Sequence, residues 1–542
     1  MSAAPRLRLA VIVDAPSPPA WVSMTLGELT KYAEIVLVVT APGERAEMTH
    51  VDAVASYLHA DQRLFSPARD ITRPAPLSGL PASTEWLELG RIDASDFAGE
   101  LSRRQVDAII DLIDGVGSRS GPAPRLGWWR LSHAGTDSRR AAVWSVVRGY
   151  PTAKSALLST SDPPRVLAES VSRTDHVSAA RAQNSIAWKS LALVVRGVRR
   201  LADLAATGRG LEALATLASE SDATGSTADL AVRTVVHVSR YARRRWHDRR
   251  HRRQWILVRG RREGPQAIYG LERVLPPDDH FWADPFLVEA EGRQWLFLED
   301  YPYSRGRGHI AVAALDEDGR LGEVIPIIER PYHLSYPFVF PYEGEWYLIP
   351  ESQGNNAIEV YRADRFPDQW RFSHTLMSGV RAADATLLEH GGAWWLFANI
   401  AEYEGSSSYD DLFVFRGDSP IATEWTPHPC NPVVSDVRRA RAAGRFYSEN
   451  GRLIRPSQDC AKEYGRAICL NEVVTLTDSE YEERCVGMIE ATWDPAVVAT
   501  HTITAGGSLV FLDGKLERRH GAPVERGPSA GLCQIVAPTF AP

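Results

Sequence analysis

The chain has 542 residues and a mass of 59.9 kDa, enough for about three or four domains. Apolar residues make up 44% and charged residues 24%, a balance that is typical of globular proteins and excludes a wholly disordered or fibrous chain. The 61 Lys and Arg residues against 68 Asp and Glu residues give a formal net charge of −7, so bulk charge does not favour a nucleic-acid partner.

The first part of the chain alternates apolar runs with helical patterns. Residues 7–13 and 35–40 are rich in Val and Ile, which indicates strands buried on both faces of a parallel sheet. A helical pattern over 21–32 separates them, and a third strand is predicted over 106–113. This order predicts a doubly wound α/β domain over residues 1–175. No GxGxxG follows the first strand, so the dinucleotide fingerprint is absent.

Residues 127–158 carry a motif order that resembles the folate-dependent formyltransferase family. In that family a strand ends in Asn-x-His, and a basic loop, a Trp-bearing helix, a strand and an Asp-x-Gly turn follow. Here Leu131-Ser-His133 stands at the first motif, and Asp162 is followed by Pro163 and Pro164. The resemblance covers roughly residues 6–205 and implies a degenerate formyltransferase site at His133 and Asp162, since Leu131 cannot donate a hydrogen bond. We do not expect a folate formyl donor as cofactor.

The middle of the chain, residues 176–253, is predicted to be a helical linker with a basic end. Helix-period patterns cover 177–207 and 227–253. The stretch from Arg240 to Arg253 contains eight arginines, with His247 and His251 among them. Such a run can bind anionic lipid headgroups or simply form a solvated basic helix. We therefore expect any peripheral membrane contact here, and no nucleic-acid partner.

The C-terminal half contains a repeated hairpin. Four copies align on the turn glycines Gly292, Gly344, Gly392 and Gly451. Eight residues before these glycines stand Asp284, Tyr336, Asp384 and Ala443, and seven residues after them stand Glu299, Glu351, Asn399 and Gln458. A fifth, shorter copy places Asp513 seven residues beyond Gly506. The first set of anchors is spaced by 52, 48 and 59 residues, which is typical of propeller blades.

The fifth copy lacks its outer strands, and two strands without a copy of their own precede the first repeat. They cover 255–259 and 267–275. A blade built from both chain ends closes the ring and removes its free edges. The sequence therefore predicts an all-β five-bladed propeller with a split closing blade over 254–520 and a C-terminal tail over 521–542. A β-sandwich of short hairpins is the alternative, and the constant phase of the repeat argues against it.

Propeller geometry brings the aligned polar residues to one rim of the central channel. Carboxylates crowded there should differ in pKa, as glycosidic chemistry requires. The candidate catalytic residues are Asp284 as base or nucleophile, Glu351 as acid, and Asp384, which would tune them. The candidate substrate-binding residues are Trp282, Glu299, Asp300, Tyr336, Asn399, Arg455, Gln458, Asp459 and Tyr464. The oxygen ligands are also compatible with a cation in the channel, but nothing fixes a metal-coordination pattern.

Two family resemblances extend this interpretation. Ala283-Asp-Pro-Phe and the ending at Glu351 resemble the five-bladed glycoside hydrolase clan that includes family 43. In that clan Asp284 would match the base, whereas Tyr336 replaces an Asp, and Asp384 and Asn399 stand where the acid Glu is expected. The blocks SYPFVFP, WYLIPES, DATLL, NPV and RPSQDC are more similar to the propeller of plant glucosamine inositolphosphorylceramide transferases and their bacterial relatives. That similarity implies a role in glycan or glycolipid assembly.

Three functional hypotheses follow. One is a carbohydrate-active enzyme of surface-glycan or glycolipid biosynthesis, with a sugar, glycan or glycolipid as substrate. Another is a non-catalytic glycan-binding propeller on a formyltransferase-like scaffold. The last is an N-formyl or acyl transferase that acts on an amino sugar through His133 and Asp162.

Five cysteines without CxxC spacing predict neither a disulfide framework nor a zinc knuckle, and no leader or membrane span is recognisable. A cytoplasmic location, at most peripheral to the inner face of the membrane, is therefore expected.

Overall fold

The computed structural model describes residues 6–14, 18–41, 52–89, 94–114, 121–209, 211–217, 225–262, 267–520 and 532–536. The chain divides into two compact units: Met1–Ala242 with Tyr403–Ser406, and Arg243–Glu402 with Ser407–Pro542. Over the described ranges, none of the helices has the length and apolar character to span a bilayer. Most of the predicted tail 521–542 lies outside the described residues.

The N-terminal unit is built on a seven-stranded mixed sheet in the order β3-β2-β1-β4-β5-β6-β7. Strands β1 to β5 run parallel, and β6 and β7 continue the sheet antiparallel. The three strands expected from apolar runs are all present. The bounds are β1 Leu7–Asp14, β2 Ala33–Ala41, β3 Glu85–Glu88, β4 Ala108–Asp111, β5 Trp128–His133, β6 Thr152–Ser159 and β7 Val166–Arg173.

Helices cover both faces of this sheet, which confirms the predicted doubly wound α/β fold. Phe97 and Leu101 of α3 pack with one set of strand residues, and α1 and α5 pack with the other. Helix α5, predicted as part of a linker, lies in this core with most of its residues buried. The bounds are α1 Ala20–Leu29, α2 Ala53–Leu64, α3 Ala94–Arg103, α4 Ser138–Arg148, α5 Ala179–Thr207 and α6 Thr227–Asp248.

The basic run between Arg240 and Arg253 is not one continuous surface. Arg240 is engaged at the end of α4, where its guanidinium donates to the carbonyl oxygens of Val146 and Arg148. Helix α6 ends at Asp248, and Arg253 belongs to a propeller strand, where it pairs with Glu517. Of the arginines between them, Arg252 is half-buried and donates to Asp278 O, and the others are exposed.

The second unit consists of five sheets, as predicted. The chain enters with β8 His251–Arg262 and β9 Ala267–Val274, and four sheets follow in sequence. These are β10 His280–Ala290, β11 Arg293–Pro302, β12 His309–Ala314 and β13 Ile325–Ile328 (blade I); β14 Ser335–Tyr342, β15 Glu345–Glu351, β16 Ala357–Arg365 and β17 Gln369–Ser378 (blade II); β18 Ala382–His390, β19 Ala393–Ile400, β20 Asp411–Gly417, β21 Thr426–Pro427 and β22 Val434–Ser435 (blade III); β23 Tyr447–Glu449, β24 Arg452–Asp459, β25 Ala467–Leu476 and β26 Tyr481–Glu490 (blade IV).

The closing blade V combines both ends of the propeller sequence. Strands β27 Ile503–Gly506 and β28 Leu509–Arg519 join β8 and β9, and β29 Cys533–Gln534 adds to β9. Strand β28 pairs with β8 over eleven residues, from Leu509–Arg261 to Arg519–His251. The predicted split blade is therefore confirmed.

Turn geometry explains why the glycine alignment found the blades. In blades I to IV the first hairpin turns through two residues that both have positive φ, the geometry of tight hairpins whose twist matches the strands. These pairs are Glu291-Gly292, Glu343-Gly344, Gly391-Gly392 and Asn450-Gly451. Blade V instead turns at Gly507 and Ser508, so Gly506 is not the equivalent reference.

The structure contains a disulfide that the cysteine spacing did not predict. Cys469 and Cys485 are joined across the neighbouring strands β25 and β26 of blade IV. Their spacing of 16 residues gives no motif, and the hairpin brings them together. The cysteine count therefore carries no argument about compartment, and the cytoplasmic location stays a prediction.

Candidate functional site

Strand register brings the predicted polar column to one rim of the propeller. Ala283 pairs with Glu299 in blade I, Ser335 with Glu351 in blade II, and Ala383 with Asn399 in blade III. The start of each first strand therefore lies beside the end of each second strand. The carboxylates of Asp284, Glu299, Glu351, Asp384 and Asp513 consequently form one group, which we call the rim cluster, and all five are buried.

The first-strand residues of the rim share one backbone irregularity, which directs their side chains. The ladder of each hairpin shifts register at Asp284, Tyr336 and Asp384, and these residues have φ values of 49°, 45° and 52°. Left-handed backbone is uncommon outside glycine and costs about 1–3 kcal/mol, most for a bulky residue such as tyrosine. Such a bulge redirects a side chain out of the regular ladder. Its repetition in three blades makes it a feature of the rim.

Asp284 of blade I is held by groups from blades II and V. Its Oδ1 accepts a hydrogen bond from Thr502 Oγ1 at 2.7 Å, and its Oδ2 accepts one from the backbone N–H of Tyr336 at 3.1 Å. His501 Nε2 lies 3.6 Å from Oδ1. Burial raises the pKa of Asp284 to about 6, since the nearby charge of His501 offsets only part of burial and of the negative field of Asp384 and Asp513.

Glu351 and Glu299 are less satisfied than Asp284. Glu351 Oε1 accepts from the backbone N–H of Gln353 at 2.9 Å, and burial together with the charge of Asp384 raises the pKa of Glu351 to about 7. Glu299 Oε1 is buried without a hydrogen-bond partner among the described residues. Burial and the surrounding carboxylates raise the pKa of Glu299 well above its usual value. Glu351 is therefore poised to hold a proton near neutral pH, and the pKa of Glu299 is shifted in the same direction.

His333 faces the unpaired oxygen of Glu299. Its Nδ1 accepts a hydrogen bond from the backbone N–H of Gly308 at 2.9 Å, which leaves the proton of the neutral ring on Nε2. Nε2 lies 3.5 Å from Glu299 Oε1. Burial and the charge of Arg441 lower the pKa of His333, so the ring stays neutral beside the carboxyl group.

Arg441 places a positive charge beside Asp384 in the rim cluster. Its Nε and Nη2 donate to Asp384 at 2.7 and 3.2 Å, and its guanidinium lies 5.1 Å from the ring centre of Tyr409 and 5.4 Å from that of Tyr464. Burial alone would lower the pKa of Arg441, but Asp384 and the two tyrosines hold it well above its usual value. Gln458 Nε2 approaches Asp384 at 3.5 Å while donating to Ala442 O at 2.7 Å.

Asp513 and His501 extend the cluster into the closing blade. Asp513 Oδ1 accepts from the backbone N–H groups of His501 and Thr502, and Oδ2 accepts from that of Asp284. His501 Nδ1 lies 2.6 Å from Asp513 Oδ2. Burial lowers the pKa of His501, but Asp513 and Asp284 outweigh burial and raise it. Asp284, His501 and Asp513 place ligand atoms within 4.8 Å of one another, as a cation would need, yet the oxygens of Asp513 are already engaged by protein donors.

Aromatic side chains surround the cluster. Trp255 stacks on the His501 ring at 4.2 Å between ring centres, and Tyr464 contacts the same ring edge-on at 5.0 Å. Tyr409 packs beside Tyr464 at 5.5 Å. Trp255, Tyr409 and Tyr464 remain partly exposed. Their exposed parts place aromatic surface next to hydrogen-bonding groups, a combination that suits a sugar ring.

Several predicted substrate-binding residues are engaged inside the fold instead. The Arg455 guanidinium donates to both oxygens of Glu483 at 2.7 Å, and both side chains are only 2% exposed. Glu483 neutralises Arg455 inside blade IV, so Arg455 is not available to bind a ligand, contrary to the prediction. Asp459 pairs with Arg466, and Trp282 packs between the apolar side chains of blades I and V.

The remaining predicted residues have structural contacts. Asn399 donates to Asp411 O at 3.0 Å and accepts from the backbone N–H of Ala442 at 3.1 Å, which ties blade III to the start of blade IV. Asp300 lies between His280 and His309, 2.7 Å from His280 Nδ1 and 3.4 Å from His309 Nε2.

Tyr336 lies beneath the rim and is fully buried, so it is not a platform for a sugar. Its hydroxyl lies 2.9 Å from Thr386 Oγ1 and accepts from the backbone N–H of Gly444 at 3.1 Å. We expect Tyr336→Phe to lower the free energy of unfolding by about 1–3 kcal/mol, because the Gly444 N–H loses its partner. Thermal or denaturant unfolding measures this, with the exposed Tyr269→Phe as control. Equal stability of the two variants would contradict the assignment.

The N-terminal unit does not bring His133 and Asp162 together. His133 pairs with Ser155 and Trp129 pairs with Ser159 in the antiparallel β5–β6 ladder, and Asp162 lies three residues beyond Ser159. At about 3.3 Å per residue, roughly 13 Å of strand separates the ladder positions of Ser155 and Ser159, and Asp162 follows in the turn beyond Ser159. His133 is buried beside a cavity of about 60 Å³, and its Nδ1 lies 2.9 Å from Ser155 Oγ. Asp162 is exposed. The strand register therefore does not support a live His133–Asp162 pair, and the degenerate formyltransferase site stays a prediction.

Comparison with protein families matches the propeller. The family model described as glucosamine inositolphosphorylceramide transferase 1, N-terminal, matches residues 275–493. The transferase of that name from Oryza sativa subsp. japonica is 36% identical over 207 residues, which cover 38% of this chain and 28% of the relative. The Arabidopsis thaliana protein is 33% identical over 207 residues, 38% of this chain and 27% of the relative. This chain thus spans little more than a quarter of these relatives.

Solved structures with some similarity are glycoside hydrolases. They include Zg3597, a family 117 enzyme from Zobellia galactanivorans, with 11% identity, a TM-score of 0.33 and coverage of 48% of this chain and 90% of that one. The catalytic domain of a Coprinopsis cinerea GH62 α-L-arabinofuranosidase has 14% identity, a TM-score of 0.34 and coverage of 47% and 90%. A GH43 endo-arabinanase from Bacillus licheniformis has 14% identity, a TM-score of 0.31 and coverage of 45% and 95%.

Proposed function

We propose that the protein is carbohydrate-active and that the rim cluster binds a sugar or glycolipid and transfers or cleaves a glycosyl unit. The observation that carries the proposal is the pair Asp284 and Glu351 in one buried cluster, with pKa values raised to about 6 and about 7. Between these values one carboxyl group is ionised while the other keeps its proton, as acid–base glycosyl chemistry requires. The names of the plant relatives, which contain glucosamine and inositolphosphorylceramide, support an amino sugar and a glycolipid as substrate class.

The reaction assigns one role to each group. Glu351 donates its proton to the leaving oxygen as the bond from that oxygen to the anomeric carbon breaks. Asp284 accepts the proton of an acceptor hydroxyl or water, whose oxygen forms the new bond to the same carbon. Asp384 is held by Arg441 beside this pair and contributes to the field that raises the pKa of Glu351. Glu299, whose pKa is raised well above its usual value, offers a second carboxyl group for a sugar hydroxyl.

A non-catalytic glycan-binding propeller is the second candidate. It is favoured by the contacts of Asp284, whose two oxygens already accept hydrogen bonds from Thr502 and Tyr336. In that case the acids shape a binding site and no bond to the anomeric carbon breaks.

Turnover assays separate the two candidates. The wild-type chain is incubated with UDP-N-acetylglucosamine, UDP-glucosamine and a panel of nitrophenyl glycosides, with inositol phospholipid as acceptor. We expect Asp284→Asn and Glu351→Gln to lower turnover by about 10²–10⁴-fold, while ligand binding persists. The exposed turn variant Glu343→Gln is the matched control.

The pH profile provides an independent readout. Activity requires ionised Asp284 and protonated Glu351, so the rate should rise as pH passes about 6 and fall as it passes about 7. Full turnover by either variant would contradict the catalytic proposal. Binding by the wild type without any turnover, weakened in both variants, would support the binding module instead.

A further inference from the structure

Helix α6 has an apolar face that no other described element covers. Val232, Val235 and Val238 are 62%, 67% and 58% exposed, Val236 is 43% exposed, and Trp246 is 57% exposed. Ala228, Val232, Val235, Ala242 and Trp246 recur at spacings of three, four and seven residues, so they share one face of the helix. Val236 and Val238 lie at the two edges of this face, and we call the whole stripe the α6 valine face. An exposed apolar stripe of this size indicates an interaction surface.

The opposite face of α6 anchors the helix. Leu230 and His237 are buried, and Leu230 packs with residues of α2, α4 and α5. His237 Nε2 lies 3.2 Å from Val177 O, and Tyr241 contacts the Phe65 ring at 6.4 Å. These contacts hold the helix by one side, so the valine face is presented outward by a fixed element.

The charge of the same helix is strongly positive next to the valine face. Arg243, Arg244 and Arg245 are exposed, and Arg249 and Arg250 follow the helix end. The Arg250 guanidinium lies 3.7 Å from the ring centre of Trp246. The two aspartates of the helix are already engaged, Asp229 by Arg148 and Arg233 and Asp248 by Arg244. Asp248 offsets part of the charge of Arg244, so the net positive charge at this end of the helix comes mainly from Arg243, Arg245, Arg249 and Arg250.

We propose that α6 binds the surface of an anionic membrane, with the valine face inserted among the acyl chains near the headgroups and the arginines on anionic lipid. A helix that combines an apolar face, a tryptophan and an arginine-rich polar surface has the chemistry of an interfacial membrane helix. Charge complementarity selects this occupant, because a second copy of the helix would bring the same arginines and no acidic partner.

Vesicle flotation of the full chain tests the proposal. Wild-type protein is expected to bind vesicles of phosphatidylcholine with 30% phosphatidylglycerol, and to bind pure phosphatidylcholine weakly. We expect Arg243→Gln/Arg244→Gln/Arg245→Gln to weaken binding to the anionic vesicles by about 100-fold, as three surface arginines would. Its control, Arg320→Gln/Arg365→Gln/Arg371→Gln, removes the same charge from exposed arginines elsewhere.

The apolar component is tested separately, at high salt. Val232→Thr/Val235→Thr/Val238→Thr keeps the side-chain shape and should weaken the binding that survives high salt by at least tenfold, whereas the exposed pair Val474→Thr/Val486→Thr should not. Failure of the wild type to bind anionic vesicles, or binding unchanged in both α6 variants, would overturn the proposal. Dimerisation that is lost in the valine variant would overturn it in favour of a second copy.

Discussion

Arg441→Met should destabilise the propeller by about 3–5 kcal/mol. The substitution leaves the buried Asp384 carboxylate without its bidentate partner, in a cluster that already contains four other carboxyl groups. Removing one member of a buried ion pair has a cost of this size because the remaining charge stays desolvated. The measurement is denaturant unfolding followed by a signal of the propeller, since the two units need not unfold together.

A matched set of variants isolates the cause. Arg371→Met removes an arginine from an exposed pair with Asp364 and should change stability by less than about 1 kcal/mol. Arg441→Met/Asp384→Asn removes the stranded charge and should recover much of the loss. If Arg441→Met is as stable as the wild type, the Asp384 carboxylate does not depend on Arg441 for its stability in the buried cluster.

Glu351→Gln should stabilise the propeller at pH 8, although it removes a residue of the proposed site. The native state holds a proton on Glu351 up to about pH 7, whereas the unfolded chain releases it near its usual pKa of 4.5. The native state therefore binds more protons between these values, and the contribution of Glu351 to stability falls as pH rises through this range. At pH 8 the deficit is about 3 kcal/mol, and the amide removes it.

The pH dependence of the gain identifies its origin. The advantage of Glu351→Gln should shrink towards zero near pH 4.5, where the carboxyl group is protonated in the native state. Glu343→Gln, in the exposed hairpin turn of the same blade, should be neutral at both pH values. A loss of stability in Glu351→Gln at pH 8 would mean that the carboxylate is favourably bound in the fold and is not poised as an acid.

The fold was predictable where local geometry repeats. The glycines of the two-residue turns fix the first hairpin of each blade, and so Gly292, Gly344, Gly392 and Gly451 located four blades correctly. The closing blade followed from the need to pair free strand edges. In blade V the turn is at Gly507 and Ser508, so the alignment on Gly506 used the wrong reference residue. Asp513 nevertheless belongs to the rim cluster.

The site was only partly predictable, because charge partners come from outside the repeat. Arg441 and Tyr409 lie in connections between strands, and His501 precedes the short hairpin of blade V, so none occupies an aligned position. Arg455 lies three residues before the aligned Gln458, but it pairs with Glu483 two strands later. The direction of the β5–β6 ladder, which separates His133 from Asp162, is likewise invisible in the motif order.

Crystals soaked with UDP-N-acetylglucosamine and with N-acetylglucosamine test the central claim most directly. The account predicts a sugar ring at the rim cluster, with a hydroxyl or glycosidic oxygen within hydrogen-bond distance of Glu351 or Glu299 and a ring face against Tyr464 or Trp255. The account would be contradicted if, at saturating sugar, the rim cluster held only water and the ligand lay beside His133 in the α/β unit or on an outer blade surface.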